Sequence, residues 1–305
     1  MAANLYKNQS TNITKTWFLM VGFFVFIMLM GWFASYYYND SLILYIAVLF
    51  SVGMNITSYW FSDKIVLKIA GAKEAKKSEY YDLYTIVENL SITAGLPMPK
   101  VYVIEESVPN AFATGRNKNH AAVAFTTGLL AILEKNELEG VAAHELAHIG
   151  NKDILLQTVV VVLVGFITLL ADFLTRSMFF GGRDNDRGGG QLQVILLIAG
   201  IALTILSPLI GTMIQLAISR KREFLADATG VLLTRYPEGL ASALEKIHAS
   251  STQMKRANHA TAHLYISDPF GSKASLDGKK EKVGFMHKLF LTHPPVQERL
   301  AALRG

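Results

Sequence analysis

The chain contains no cysteine. That excludes disulfide staples, thiolate zinc sites, iron–sulfur clusters and a cysteine nucleophile, so any metal must sit on His, Asp or Glu. Charge is also scarce. Charged residues make up 17% of the 305 positions and hydrophobic residues 51%, whereas a water-soluble domain carries about 25% charged residues. The shortage argues against intrinsic disorder and against an ordinary cytosolic enzyme. The net charge of +5 needs no nucleic acid to explain it, because Lys and Arg flanking membrane spans give the same bias.

The missing charge is concentrated in four blocks. No charged residue lies between Lys15 and Asp40, Asp40 and Asp63, Asp153 and Asp172, or Arg187 and Arg220. A bilayer core takes about 20 apolar residues as helix, and only a helix satisfies its own backbone there. Four transmembrane helices are therefore expected. The third block has 18 residues, Ile154–Ala171, and is at the short limit. The fourth has 32, Gly188–Ser219, and is longer than a bilayer needs. Trp17, Tyr36, Tyr37, Tyr38, Tyr59 and Trp60 flank the first two spans, where an interfacial aromatic belt belongs. The first span is too long for a cleaved signal peptide and reads as a retained anchor. The competing reading, four buried helices of a large globular core, requires uncharged runs that are rare in soluble domains.

Loop charge sets the orientation. Lys7 and Lys15 precede the first span, Lys64, Lys68, Lys73, Lys76 and Lys77 follow the second, and Arg220-Lys221-Arg222 follows the fourth. These flanks place both termini and both long polar segments on the cytoplasmic side. The expected organisation is a cytoplasmic N-terminus (1–15), a membrane hairpin (16–61), the first part of a catalytic domain (62–153), a second membrane hairpin (154–219) and the rest of the domain (220–305).

The chemistry is concentrated in Asn136–Asp153, NELEGVAAHELAHIGNKD. Asn136 with Glu139 three residues on marks a helix start of capping-box type. His144 and His148 then lie four residues apart on one helical face, with Glu145 about 100° round. This is H-E-x-x-H: two zinc ligands with a carboxylate beside the metal placed as general base. Two His at that spacing arise by chance about 0.2 times in a chain of this composition, and the full pattern about 0.01 times. His259 and His263 share the spacing but have Ala260 in the Glu position, and read as structural or surface residues.

A catalytic zinc takes three protein ligands and keeps one position open. The third ligand is expected just past the fourth span, where Glu223 and Asp227 are also four apart. Glu223 is placed to bind the metal, and Asp227 to accept the free ring N–H of a ligand His. Taken alone, that pair would read as an exposed helix start with its carboxylates facing arginines.

At these residues the chain resembles the HtpX family of bacterial heat-shock membrane zinc peptidases, with the Ste24 and Oma proteases as wider relatives. The resemblance runs over essentially the whole chain. It rests on two N-terminal spans, His144-Glu145-Leu146-Ala147-His148, a hydrophobic hairpin, Glu223-x-x-x-Asp227, Thr292-His293-Pro294-Pro295 with Arg299, and Pro109–Gly115. It implies a mainly α integral membrane protein with four spans and a zincin-like (gluzincin) α+β catalytic domain. It implies one Zn2+ per chain and cleavage of misfolded or damaged membrane proteins at the cytoplasmic face of the bacterial inner membrane. It also implies a tendency to self-cleave, with the lipid bilayer and membrane proteins as partners and no nucleic acid.

By the same resemblance Ala121–Thr126, with Ala124 at its centre, is an edge strand that pairs with substrate. Asn110, Ala111 and Phe112 supply contacts beside it. His293 and Arg299 face the cleft, His293 donating to the developing oxyanion. The rival reading from another class is a non-proteolytic membrane scaffold or chaperone with a structural zinc. Glu145 discriminates, since a structural site takes four protein ligands and needs no base.

Overall fold

The computed structural model describes residues 2–180, 220–250, 253–255, 261–267, 269 and 294–305. Helices α1 (Ala2–Tyr38) and α2 (Ser41–Trp60) pack against each other as a hairpin. It turns at Asn39, a non-glycine residue at φ 48°. The Asp40 carboxylate caps α2 by accepting the Leu42 N–H at 2.9 Å. Phe18, Leu29, Leu42 and Leu49 stay well exposed along the pair. That apolar surface suits lipid rather than water. Two stretches here are long and apolar enough to cross a membrane, Ser10–Tyr38 at mean hydropathy 2.2 and Ser41–Trp60 at 1.8.

A short α3 (Ser62–Ala70) ends at Gly71 in the left-handed region, φ 69°. After it come β1 (Ala72–Glu74), α4 (Tyr81–Ala94), β2 (Lys100–Ile104), β3 (Ala111–Asn117), β4 (His120–Thr126) and α5 (Thr127–Ile132). The sheet order is β1-β2-β4-β3, with only the β2–β4 pair parallel. Period-two alternation gives the sheet two buried faces. Val101, Val103, Ala111, Ala113, Val123 and Phe125 join the core built on α4 and the helix Lys135–Gly150. Ile104, Phe112, Ala122 and Ala124 join the core built on α3 and the membrane helices. The sheet thus separates two hydrophobic cores.

Helix α6 (Lys135–Gly150) begins after Glu134, two residues before the expected start. The residue reaching back is Glu137, which accepts the Glu134 N–H at 2.8 Å. α7 (Asp153–Phe180) follows after a turn at Asn151-Lys152, and the two helices meet at 85°. As one bent unit they form a third candidate span; otherwise the described residues hold two. The fourth expected span, Gly188–Ser219, lies outside the described residues. α8 (Arg220–Thr234), α9 (Pro237–Ala249), a 3-10 turn (Ala262–Leu264) and α10 (Val296–Arg304) complete the fold. α8 and α9 pack on α6, and α10 packs on both.

Candidate metal centre

Almost every residue of α6 from Glu137 to Ile149 is buried, so its histidines are held inside the protein. Helix α8 crosses it closely because residue 230 is glycine. A Cβ there would meet the backbone of Ala143 and His144 at 3.0–3.3 Å. Glu223 lies two turns before Gly230 and comes alongside the histidine pair. His144, His148 and Glu223 each offer a ligand atom within 4.8 Å of the others, and all three are buried.

The partners of the ring nitrogens define what this cluster can hold. His144 Nδ1 lies 2.9 Å from Asp227 and His148 Nδ1 lies 2.9 Å from Asp153. A carboxylate only accepts, so each Nδ1 carries a proton and donates it. In the neutral rings both Nε2 atoms then present lone pairs, 3.2 Å apart, with Glu223 oxygens at 3.7 and 3.8 Å. Two lone pairs and a carboxylate aimed at one point repel unless something positive lies between them. Nitrogen and oxygen donors of this kind suit Zn2+, so the residues present fit a metal ion.

The electrostatics agree. Burial holds His144 down at about 4, against the pull of Asp227. For His148, burial is outweighed by the carboxylates of Asp153 and Glu223, which hold it up at about 9. Asp227 stays at about 2 in spite of its burial, because His144 and Arg299 both donate to it. Burial, with Glu223 adding to it, pushes Glu145 up to about 7.

Glu145 is buried next to the cluster, where α6 packs against β3. Arg299 was expected to face the cleft. It is instead 1% exposed and grips Asp227 through two bonds, Nε–Oδ2 at 2.8 Å and Nη2–Oδ1 at 2.6 Å. Ala124 requires a correction. It lies on β4, which is paired to β2 on one side and β3 on the other, so β4 has no free edge to offer a substrate. The edge strand is β3, whose Ala111 and Ala113 direct their backbone groups away from β4.

Phe112 is fully buried, its ring 5.2 Å from that of Tyr265, rather than on an accessible cleft wall. Asn110 holds a segment of its own chain. Its Nδ2 donates to Ser267 O at 2.9 Å and its Oδ1 accepts Ser267 N–H at 3.1 Å, while Ile266 N–H donates to Ala111 O at 2.9 Å. His263 is buried with Nε2 3.1 Å from Gln157 O. His259 and His293 lie outside the described residues.

Two residues escaped the sequence reading. Asp153, the partner of His148, looks from the sequence like a charge at the mouth of a span. Asn12 of α1 donates to Asp153 Oδ1 at 2.6 Å and accepts from Arg222 Nη1 at 3.2 Å. No local spacing links Asn12 to a site 136 residues away.

Two apolar helices fit to cross a bilayer, and a buried H-E-x-x-H helix joined by a glutamate from a second helix, define a membrane metalloprotease. Residues 77–305 match peptidase family M48, and the chain belongs to that family. It is 46% identical over 307 residues to a Protease HtpX homolog of Thermoanaerobacter pseudethanolicus, covering 99% of this chain and 97% of the relative. It is 42% identical over 308 residues to a Protease HtpX homolog of Streptococcus gordonii, covering 98% and 99%. The crystal structure of S. mikatae Ste24p aligns over 98% of this chain and 67% of that one, at a TM-score of 0.49 and 20% identity.

Proposed function

We propose that the chain is a zinc-dependent endopeptidase holding one Zn2+ on His144, His148 and Glu223, with Glu145 as general base. The observation that carries this is the pair of imidazole Nε2 atoms, 3.2 Å apart and both backed by carboxylates. Zinc, when bound, polarises a carbonyl and lowers the pKa of water to about 7. The remaining work belongs to the chain. Asp227 and Asp153 hold the two ligand rings in the tautomer that points Nε2 inward. Glu145 takes the proton of the attacking water and passes it to the leaving amine. The outward edge of β3 is suited to pairing with an extended substrate, through main-chain bonds that make little demand on sequence. A substrate strand there would take the place of Ile266 on the Ala111 carbonyl.

The broader reading has four membrane spans, a catalytic domain in two parts (62–153 and 220–305), and an active site on the cytoplasmic side of a bacterial inner membrane. Misfolded or damaged membrane proteins are its substrates, in membrane quality control and the stress response, and self-cleavage belongs to the same activity. The basic flanks support the orientation, and the resemblance to HtpX proteases supports the role.

The test combines metal analysis with cleavage of an unfolded protein such as casein by the detergent-solubilised chain. Chelation should abolish cleavage and added Zn2+ restore it. Glu145→Gln should retain one zinc per chain and lose turnover. Near-parental turnover in the zinc-loaded Glu145→Gln variant would exclude the base. A metal-free chain that cleaves casein would exclude the metal.

A further inference from the structure

The membrane ends of three helices meet around a cavity that the catalytic reading does not use. It holds about 420 Å3 and lies between the α1 and α2 ends, the β3–β4 turn and the α6–α7 turn. Its floor is apolar, with Ile13 from α1 and Leu155 from α7. Its rim carries Arg116 and Lys118 from the β-turn region and Lys152 from the helix turn. Among the described lining residues there is no carboxylate to balance these three cations.

A second, more apolar hollow of about 500 Å3 runs along the groove between α1 and α2, past Val21, Phe24 and Val52. Trp17 and Tyr59 line both, their rings stacked with centroids 6.4 Å apart. A cationic chamber is thus joined at an aromatic pair to an apolar channel on a membrane-spanning hairpin. Both volumes lie in the range of specific small-molecule sites. Trp and Tyr mark headgroup depth, which places the three cations at the phosphate level and the channel among the acyl chains.

We propose that this composite cavity is a binding site for one anionic glycerophospholipid of the bilayer. The phosphate and headgroup sit among Arg116, Lys118 and Lys152, and an acyl chain lies in the α1–α2 groove. Charge complementarity selects an anionic headgroup over a zwitterionic one, whose own ammonium would meet three like charges. Arg116 also donates from Nη1 to the Trp60 carbonyl at 3.3 Å, tying the β-hairpin to the end of α2. A lipid here would bridge the membrane hairpin and the strand pair that packs on α6.

The experiment uses the full chain in phosphatidylcholine nanodiscs with Trp32→Phe and Trp60→Phe, leaving Trp17 as the fluorophore. Brominated phosphatidylglycerol or brominated phosphatidylcholine is then titrated in. Cations near a lipid surface favour anionic headgroups, so half-maximal quenching by the anionic lipid should need at least about tenfold less than by the zwitterionic one. Arg116→Gln/Lys118→Gln/Lys152→Gln should remove that preference while keeping parental zinc content. Val52→Phe, which fills the groove and leaves Trp17 as the fluorophore, should weaken quenching of Trp17 by both lipids. Equal quenching of the parent by the two lipids would reduce the cavity to ordinary lipid annulus and overturn the proposal. So would an undiminished phosphatidylglycerol preference in the triple variant.

Discussion

Each imidazole of the cluster has its own carboxylate, and each carboxylate its own anchor. His144 is backed by Asp227 and Asp227 by Arg299. His148 is backed by Asp153 and Asp153 by Asn12. Rings held this way cannot turn their lone pairs aside, which is the ordinary role of such partners around a metal. Asp153→Ala should therefore weaken Zn2+ affinity by about 10- to 100-fold, with Asp153→Asn recovering part of it because an amide oxygen still accepts the Nδ1 proton. Competition against a chromogenic chelator measures this, and parental affinity in Asp153→Ala would show that His148 needs no partner. The residues that were legible in the sequence are those whose partners are local. His144, Glu145 and His148 stand on one helix, and Glu223 and Asp227 on another, at spacings that follow from helical geometry. Asp153 was not legible because the break at Asn151-Lys152 folds it back onto the ring, a contact that helix periodicity does not encode. The pairing of Arg299 with Asp227 spans 72 residues and is equally silent in a pattern of spacings.

At the scale of elements, the strand that offers a free edge was misread for a similar reason. β3 and β4 are both short, apolar and joined by a tight turn, so their local patterns are alike. What makes β3 the edge is β2, which pairs in parallel with β4 from earlier in the chain. Edge or interior is decided by that long-range pairing. The packing of α9 on α6 gives a separate, testable case. Glu137, in the first turn of α6, accepts from Ser242 Oγ at 2.5 Å and Lys246 Nζ at 2.7 Å. Burial opposes its ionisation, but the bonds from Lys246, Ser242 and the Glu134 amide outweigh it and hold the carboxyl below its usual range. A carboxyl depressed in the folded state adds stability that is present above its unfolded pKa, about 4.3, and is lost as pH falls through the folded value. Glu137→Gln should accordingly lower the unfolding temperature at pH 7, and the gap from the parent should close below about pH 4. A gap of unchanged size across that range would mean that packing, not charge, sets the effect.

For the whole molecule the question is how far the metal centre stands from the bilayer, and α1 serves as a ruler. Asn12 touches Asp153 beside the histidine pair, and Trp17, an interfacial aromatic, comes five residues later on the same helix. Five residues of helix rise about 7.5 Å, so with Trp17 at the interface, as proposed, the site would lie roughly 10 Å from it, subject to helix tilt. The 85° bend between α6 and α7 agrees with this depth. If α7 stands along the membrane normal, α6 lies nearly flat and carries its histidines along the surface instead of away from it. An unfolded loop tethered beside a membrane span would meet such a site at high effective concentration. Which loops can do so is decided by sidedness, and the Lys-rich stretch after α2 with the Arg220-Lys221-Arg222 run supports the cytoplasmic placement proposed above. One reporter membrane protein carrying the same flexible segment on either side of the bilayer tests this in cells. The cytoplasmic copy should be cut, and Glu145→Gln should leave it whole. Cleavage of the external copy, with the internal copy intact, would reverse the orientation.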